Sequence, residues 1–123
     1  MNILIVDDSK VMRMIVRRTL RQANIPAHVV EEAENGQDAL QKLAGFRADL
    51  ILSDWNMPTM DGPALLAAVR ASGNHHVKFG FITSQSSVES RETAQQAGAV
   101  FLITKPFSAE DLEAAMGPVL RGR

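Results

Sequence analysis

Leu50-Ile51-Leu52-Ser53-Asp54 is the stretch on which the fold turns. An apolar run too short for a helix stops on a carboxylate, and Pro58 and Gly62 follow closely. Three other runs have the same form. Ile3-Leu4-Ile5-Val6 ends on Asp7-Asp8, Phe79-Gly80-Phe81-Ile82 ends on Thr83, and Val100-Phe101-Leu102-Ile103-Thr104 ends on Lys105-Pro106. Short runs rich in Ile, Val, Leu and Phe, separated by helix-like stretches, read as buried parallel strands. Ligands of an open parallel sheet bind beyond the carboxyl ends of its strands. One sheet edge is therefore expected to gather three carboxylates, a hydroxyl and an ammonium. Such a set suits a hard divalent cation beside a phosphoryl group.

Working outward, the pattern predicts strand 2–6, helix 9–23, strand 28–33, helix 36–44, strand 49–53, helix 62–71, strand 79–83, helix 87–97, strand 100–104 and helix 108–116 or longer. Regular alternation predicts an α/β fold: a doubly wound, five-stranded parallel sheet flanked by five helices, with right-handed crossovers. Ala27-His28-Val29-Val30-Glu31-Glu32-Ala33 is the most polar strand, which suits an edge.

In the first helix Met12, Ile15, Val16, Thr19 and Ala23 share an apolar stripe, and Lys10, Arg13, Arg17 and Arg21 form a basic one with Arg18 nearby. A solvated face accounts for any one of these charges. Five without an acidic neighbour in the helix point to an acidic or phosphorylated partner. Asn35-Gly36 and Asp61-Gly62-Pro63 look like helix starts, Ser86 with Glu89 like a capping box, and Ser108 with Asp111 like another start. The fourth helix offers only Val88, Ala94 and Ala97 to a core. Gly117-Pro118 is expected to kink or stop the last helix.

The chain has 123 residues, of which 46% are hydrophobic and 22% charged, with a net charge of -1. That is ordinary for one soluble domain, and it favours neither nucleic acid nor an anionic membrane as partner. With no cysteine, disulfides, a thiol nucleophile and a cysteine zinc site are excluded. No apolar stretch approaches the ~20 residues of a membrane span, and a strand starting after Met1 leaves no room for a signal peptide, so a cytoplasmic location is expected.

Each candidate residue has a plain structural reading beside the chemical one. Asp8 or Ser9 can cap the first helix, but Asp7 and Asp8 together repel unless a cation is near. Asp54 can be a turn residue, a metal ligand or a nucleophile toward phosphorus. Lys105 faces the acids as a phosphoryl contact or as a structural salt bridge, and Lys105-Pro106 suits a cis turn. Thr83 is at home in a strand or as a hydrogen-bond donor. His75-His76 lies in a loop with no third metal ligand placed beside it. Acids for a metal, a nucleophilic acid, a hydroxyl and an ammonium together make a phosphoryl-transfer set.

Asp7-Asp8, the stretch Asp54-Trp55-Asn56-Met57-Pro58 with Met60-Asp61-Gly62, Thr83, and Lys105-Pro106-Phe107 together resemble the receiver domain of bacterial two-component response regulators. The resemblance spans essentially the whole chain, and the stretch around Asp54 is most similar to single-domain chemotaxis regulators. It implies the flavodoxin-like strand order 2-1-3-4-5, with residues 1–123 as a single receiver without an output domain. It further implies Asp54 as phosphoacceptor, and Mg2+ held by Asp8, Asp54, the Asn56 carbonyl and, through water, Asp7. Thr83 and Lys105 would contact the phosphoryl group. Implied partners are a histidine kinase or histidine phosphotransfer protein and a downstream protein target met by the fourth helix, fifth strand and fifth helix. A monomer is expected, with no catalysis beyond its own phosphorylation and dephosphorylation.

One position departs from the family pattern. Where many receivers carry an aromatic residue three before the lysine, this chain has Leu102, and alternation sends Phe101 to the other face. Other readings are a receiver belonging to a larger regulator or hybrid kinase, an aspartyl-nucleophile phosphatase, and a flavin binder. The phosphatase would require an Asp-x-Asp motif where Asp7-Asp8 stands, and the flavin site a hydroxyl-rich loop.

Overall fold

A computed structural model of the chain describes residues 1–27, 29–84 and 86–121. The sheet contains β1 (Asn2–Val6), β2 (Val29–Ala33), β3 (Leu50–Asp54), β4 (Lys78–Thr83) and β5 (Phe101–Thr104), all parallel, in the order β2-β1-β3-β4-β5. The helices are α1 (Lys10–Gln22), α2 (Gly36–Leu43), α3 (Gly62–Ala71), α4 (Val88–Gln96) and α5 (Ala109–Arg121). The expected architecture and order are thus observed. His28, expected to open the second strand, lies outside the described residues.

Strand alternation divides the core in two. Ile3, Ile5, Leu50, Leu52, Ile82 and Ile103 point toward α1 and α5 and meet Val16, Leu20, Leu112 and Met116. Leu4, Val6, Ile51, Phe79 and Phe81 point the other way, toward Leu65, Leu66 and Val69 of α3, Ala39 of α2 and Ala94 of α4. Phe101 and Leu102 fall on opposite sides, as alternation predicts. Gly80 makes room for Phe101: a Cβ there would collide with the Phe101 ring across the β4–β5 pair. Glycine in a central strand marks such a close approach.

The helix starts follow local capping chemistry. Ser9, Asn35 and Asp61 accept hydrogen bonds at the N-termini of α1, α2 and α3. Ser108 and Asp111 exchange two hydrogen bonds of 3.0 Å at the start of α5. The capping box of α4 is shifted from expectation: Ser87 pairs with Ser90, not Ser86 with Glu89. The hydroxyl of Ser90 does the reaching back expected of a longer carboxylate side chain. In α1 the buried stripe is Val16, Thr19, Leu20 and Ala23, while Met12 and Ile15 are half-buried.

Of the kink or stop expected at Gly117-Pro118, the stop does not occur, because α5 runs on to Arg121. Pro118 removes one hydrogen bond, but it is exposed, as is Ala114 one turn earlier, so water can satisfy the freed carbonyl. Leu112, Met116 and Val119 are all buried, and only a continued helix keeps Val119 on that stripe. Burying a valine contributes on the order of 1.5–3 kcal/mol, comparable to the cost of the proline. Packing of α4 is far weaker: Ala94 is its one buried side chain, and Val88 is 75% exposed. Segments with so little buried area open most readily.

The basic stripe of α1 is only partly a solvated face: Lys10, Arg18 and Arg21 are exposed, but two of its arginines meet an acid of the sheet. Arg13 and Arg17 both pair with Glu32 of β2, at 2.9 Å each. Burial is the largest influence on Glu32 and works to raise its carboxyl, but the two arginines together outweigh it and hold it below the ordinary range. This contribution to stability is present above the ordinary glutamate range and is lost as pH falls through the lowered one.

Gly62 fixes how α3 meets the sheet end. A Cβ at this position would lie 2.6 Å from the Phe81 ring and 2.7 Å from the Asp54 carbonyl oxygen. Neither backbone nor a fully buried ring yields easily. Gly62→Ala is therefore expected to cost on the order of 1–3 kcal/mol in urea unfolding, despite alanine's better helix propensity. An unchanged midpoint would show that α3 can slide away from Asp54.

Candidate functional site

Register brings the strand ends together. Val6 pairs with Ser53, so the next residues, Asp7 and Asp54, leave neighbouring strands side by side. Asp54 pairs with Ile82, one residue before Thr83, and Thr83 pairs with Thr104, one before Lys105. Four strands thereby deliver Asp7, Asp8, Asp54, Thr83 and Lys105 to one edge.

The acids converge. Asp7, Asp8 and Asp54 each offer a carboxylate oxygen within 4.8 Å of the others, and they are the one such group among the described residues. Lys105 bridges two of them, with Nζ 3.3 Å from Asp7 Oδ2 and 3.4 Å from Asp54 Oδ1. The side chains are 5% exposed for Asp7, 13% for Asp54 and 16% for Lys105. Asp8 is exposed and accepts no hydrogen bond from the described residues. Lys105 precedes a cis peptide bond to Pro106, and its backbone N–H donates to the Thr83 carbonyl at 2.7 Å.

Asp7 is also held locally, since its Oδ1 accepts the Ser9 N–H at 2.9 Å. The Trp55 N–H donates to Asp54 Oδ1 at 2.8 Å. Burial raises the Asp54 carboxyl above the ordinary aspartate range, and the Asp7 charge adds to it. Lys105 and the Trp55 N–H pull the other way without cancelling the rise. One ammonium thus stands against three crowded carboxylates and pairs with only two of them, Asp7 and Asp54. Closely spaced hard oxygen donors left short of positive charge fit a divalent cation such as Mg2+.

A cleft beside Asp54 is lined by Trp55, Asn56, Thr83, Ser86, Ser87 and Ser90. Thr83 is buried and Asn56 exposed. The Trp55 ring packs on Phe81, centroids 4.8 Å apart. His75 and His76 are exposed and join no group of three metal-ligating residues among those described. Two features escaped the sequence reading. Arg13 donates to the Asp7 carbonyl oxygen at 2.7 Å. Thr59, in the loop after Asp54, has φ 73°, a left-handed conformation that costs a β-branched residue roughly 1–3 kcal/mol. The turn signal before it, Met57-Pro58, locates the loop but not the strained residue.

A parallel sheet in this order, with an acidic trio and a lysine at its carboxyl edge, defines a class. The chain belongs to the response regulator receiver domain family, whose model matches residues 3–117. Among its relatives, the chemotaxis protein CheY of Pseudomonas aeruginosa is 38% identical over 114 residues, covering 92% of this chain and 90% of that protein. CheY-3 of Vibrio cholerae is 40% identical, again over 92% of this chain and covering 86% of the relative. The solved structure of chemotaxis protein CheY4 of Vibrio cholerae superposes with a TM-score of 0.85 at 34% identity, covering 96% of this chain and 97% of that one. The chain is accordingly a receiver of the kind found in chemotaxis response regulators, a family of signalling phosphoacceptors. No helix among the described residues is long and apolar enough to cross a membrane.

Proposed function

We propose that this receiver is a phosphorylation-controlled switch in which Asp54 accepts a phosphoryl group from a phosphohistidine on a histidine kinase or phosphotransfer protein. The observation that carries this reading is Lys105 Nζ lying between Asp7 and Asp54 while Asp8 completes an acidic trio. An Asp54 oxygen attacks phosphorus as the P–N bond to the donor imidazole breaks. The electron pair of that bond leaves on the imidazole nitrogen, and an acyl phosphate forms. Its hydrolysis by water returns the carboxylate and inorganic phosphate.

Asp7, Asp8, Asp54 and the Asn56 carbonyl would hold Mg2+, which when bound neutralises phosphoryl oxygens. Lys105, 3.4 Å from Asp54, would contact the phosphoryl group from one side and Thr83, at the end of β4, from the other. Added charge at Asp54 rebalances Thr83 and Lys105, and through β4 and β5 it reaches α4, the helix with least buried area. A downstream protein then reads the face made by α4, β5 and α5. Leu102, half-buried against the α3–α4 side, offers a smaller readout there than a ring would, so the bound partner supplies part of the switching contacts.

Trp55 makes the first step visible. It is the one tryptophan and is bonded to Asp54, so Mg2+ binding is expected to change its emission. Asp8→Asn removes a charged ligand and is expected to lower the affinity by roughly tenfold or more. A full response at wild-type concentrations in that variant would place the metal elsewhere.

A further inference from the structure

We infer that Arg13 is a positioning residue for the acidic trio: it holds the peptide between Asp7 and Asp8 and so aims the Asp8 carboxylate at the cation. The inference rests on the metal-binding reading above. Arg13 Nη1 donates to the Asp7 carbonyl oxygen at 2.7 Å, and Arg13 Nε donates to Glu32 Oε1 at 2.9 Å. Arg17 Nε takes the other oxygen, Oε2, at 2.9 Å, and Arg17 Nη2 reaches the Val30 carbonyl at 3.0 Å. Lys42 donates to the Glu32 backbone carbonyl. A chain of charge-assisted hydrogen bonds thus runs from the edge strand β2 to the peptide joining the two acids.

The peptide needs such a tie. Asp8 accepts no hydrogen bond from the described residues, so its carboxylate is placed only by its backbone. A peptide is planar, and fixing the Asp7 carbonyl fixes the plane from which Asp8 departs. The Asp7 side chain is tied separately, by Ser9 and Lys105. Arg13 is 13% exposed, and its fork makes both bonds at once, which a lysine ammonium cannot do in the same geometry. A bare cation beside a metal site would oppose the metal. Glu32 offsets that charge at contact distance and leaves the geometric effect.

Position and charge therefore predict opposite signs. Removing a cation tightens Mg2+ binding if charge dominates, and weakens it if position dominates. Mg2+ titrations of Trp55 emission should show Arg13→Ala and Arg13→Lys each weakened by about tenfold. Arg17→Ala, which loses the same charge and the same Glu32 partner but never touches the Asp7 peptide, should stay within about twofold. In metal-free protein the Asp8 amide resonance should move in both Arg13 variants and stay in place in Arg17→Ala. Arg13→Lys keeps the charge and serves if Arg13→Ala fails to fold. Equal or tighter binding in the Arg13 variants overturns the inference, as does an equal loss in Arg17→Ala. Absence of any Mg2+ response in the wild type would fail the metal reading instead, and the Asp8 resonance would still decide whether Arg13 positions that peptide.

Discussion

Asp54→Ala incubated with acetyl phosphate and Mg2+ is expected to carry roughly a hundredfold less covalent phosphate than wild type, since of the three acids Asp54 alone keeps one oxygen, Oδ2, without a hydrogen bond from the described residues while the Lys105 ammonium stands beside the other. Asp7 is 5% exposed and occupied by Ser9 and Lys105. Asp8 is exposed but lacks the ammonium that lies 3.4 Å from Asp54. The wild-type label should be base-labile and acid-stable, as an acyl phosphate is. Retention of wild-type labelling in Asp54→Ala would move the acceptor to another residue. The same position predicts a stability effect of the opposite kind. Burial and Asp7 raise the Asp54 carboxyl, so ionising it opposes folding. At low pH both folded and unfolded chains hold the proton. As pH rises, the unfolded chain releases it first, and the folded protein is stabilised less. At neutral pH without metal, Asp54→Asn should therefore melt above the wild type.

Lys105→Ala is expected to bind Mg2+ more tightly by roughly tenfold, about 1.4 kcal/mol, and yet to respond poorly to phosphorylation. The ammonium lies within 3.4 Å of two carboxylates, so it competes with a metal for the same oxygens. Its loss leaves Asp7 buried without a cation and frees the oxygens for which a metal would otherwise compete with the ammonium. The poor response has a different origin: without Lys105 no ammonium at the end of β5 pulls on the phosphoryl group. Trp55 emission measures the first effect, and amide shifts in α4 and β5 on adding a phosphoryl mimic measure the second. Tighter metal binding with an intact shift of α4 would reduce Lys105 to a structural salt bridge.

Much of this edge was legible in the chain itself. Four of the five strands announce their own ends, because Asp7 and Thr83 directly follow an apolar run and Asp54 and Lys105 follow one after a single hydroxyl residue, Ser53 or Thr104. The rule that parallel strands present their carboxyl ends together then gathers them without any knowledge of contacts. Phe101 and Leu102 could be assigned to opposite faces for the same reason. The capping box of α4 was missed by one residue, because Ser86, Ser87 and Ser90 offer competing local partners of similar strength. The course of α5 past Pro118 was left open between a kink and a stop, because the local rule, the missing N–H, gives no weight to the burial of Val119 that carries the helix on.

The alternation of elements, the two faces of the sheet and the identity of the groups at its edge are all written in the order of residues. These follow from a period of two along strands, one of about 3.6 along helices, and the position of polar residues at strand ends. That Arg13 and Arg17 face Glu32, and that Arg13 reaches the Asp7 carbonyl, follows from the packed fold alone. So does the fact that Gly62 and Gly80 sit where Phe81 and Phe101 leave no room for a Cβ. Such contacts depend on the rotation of α1 against β2 and on the depth at which α3 meets the sheet. Close packing sets both, through many small contacts at once, and no stretch of sequence carries them alone.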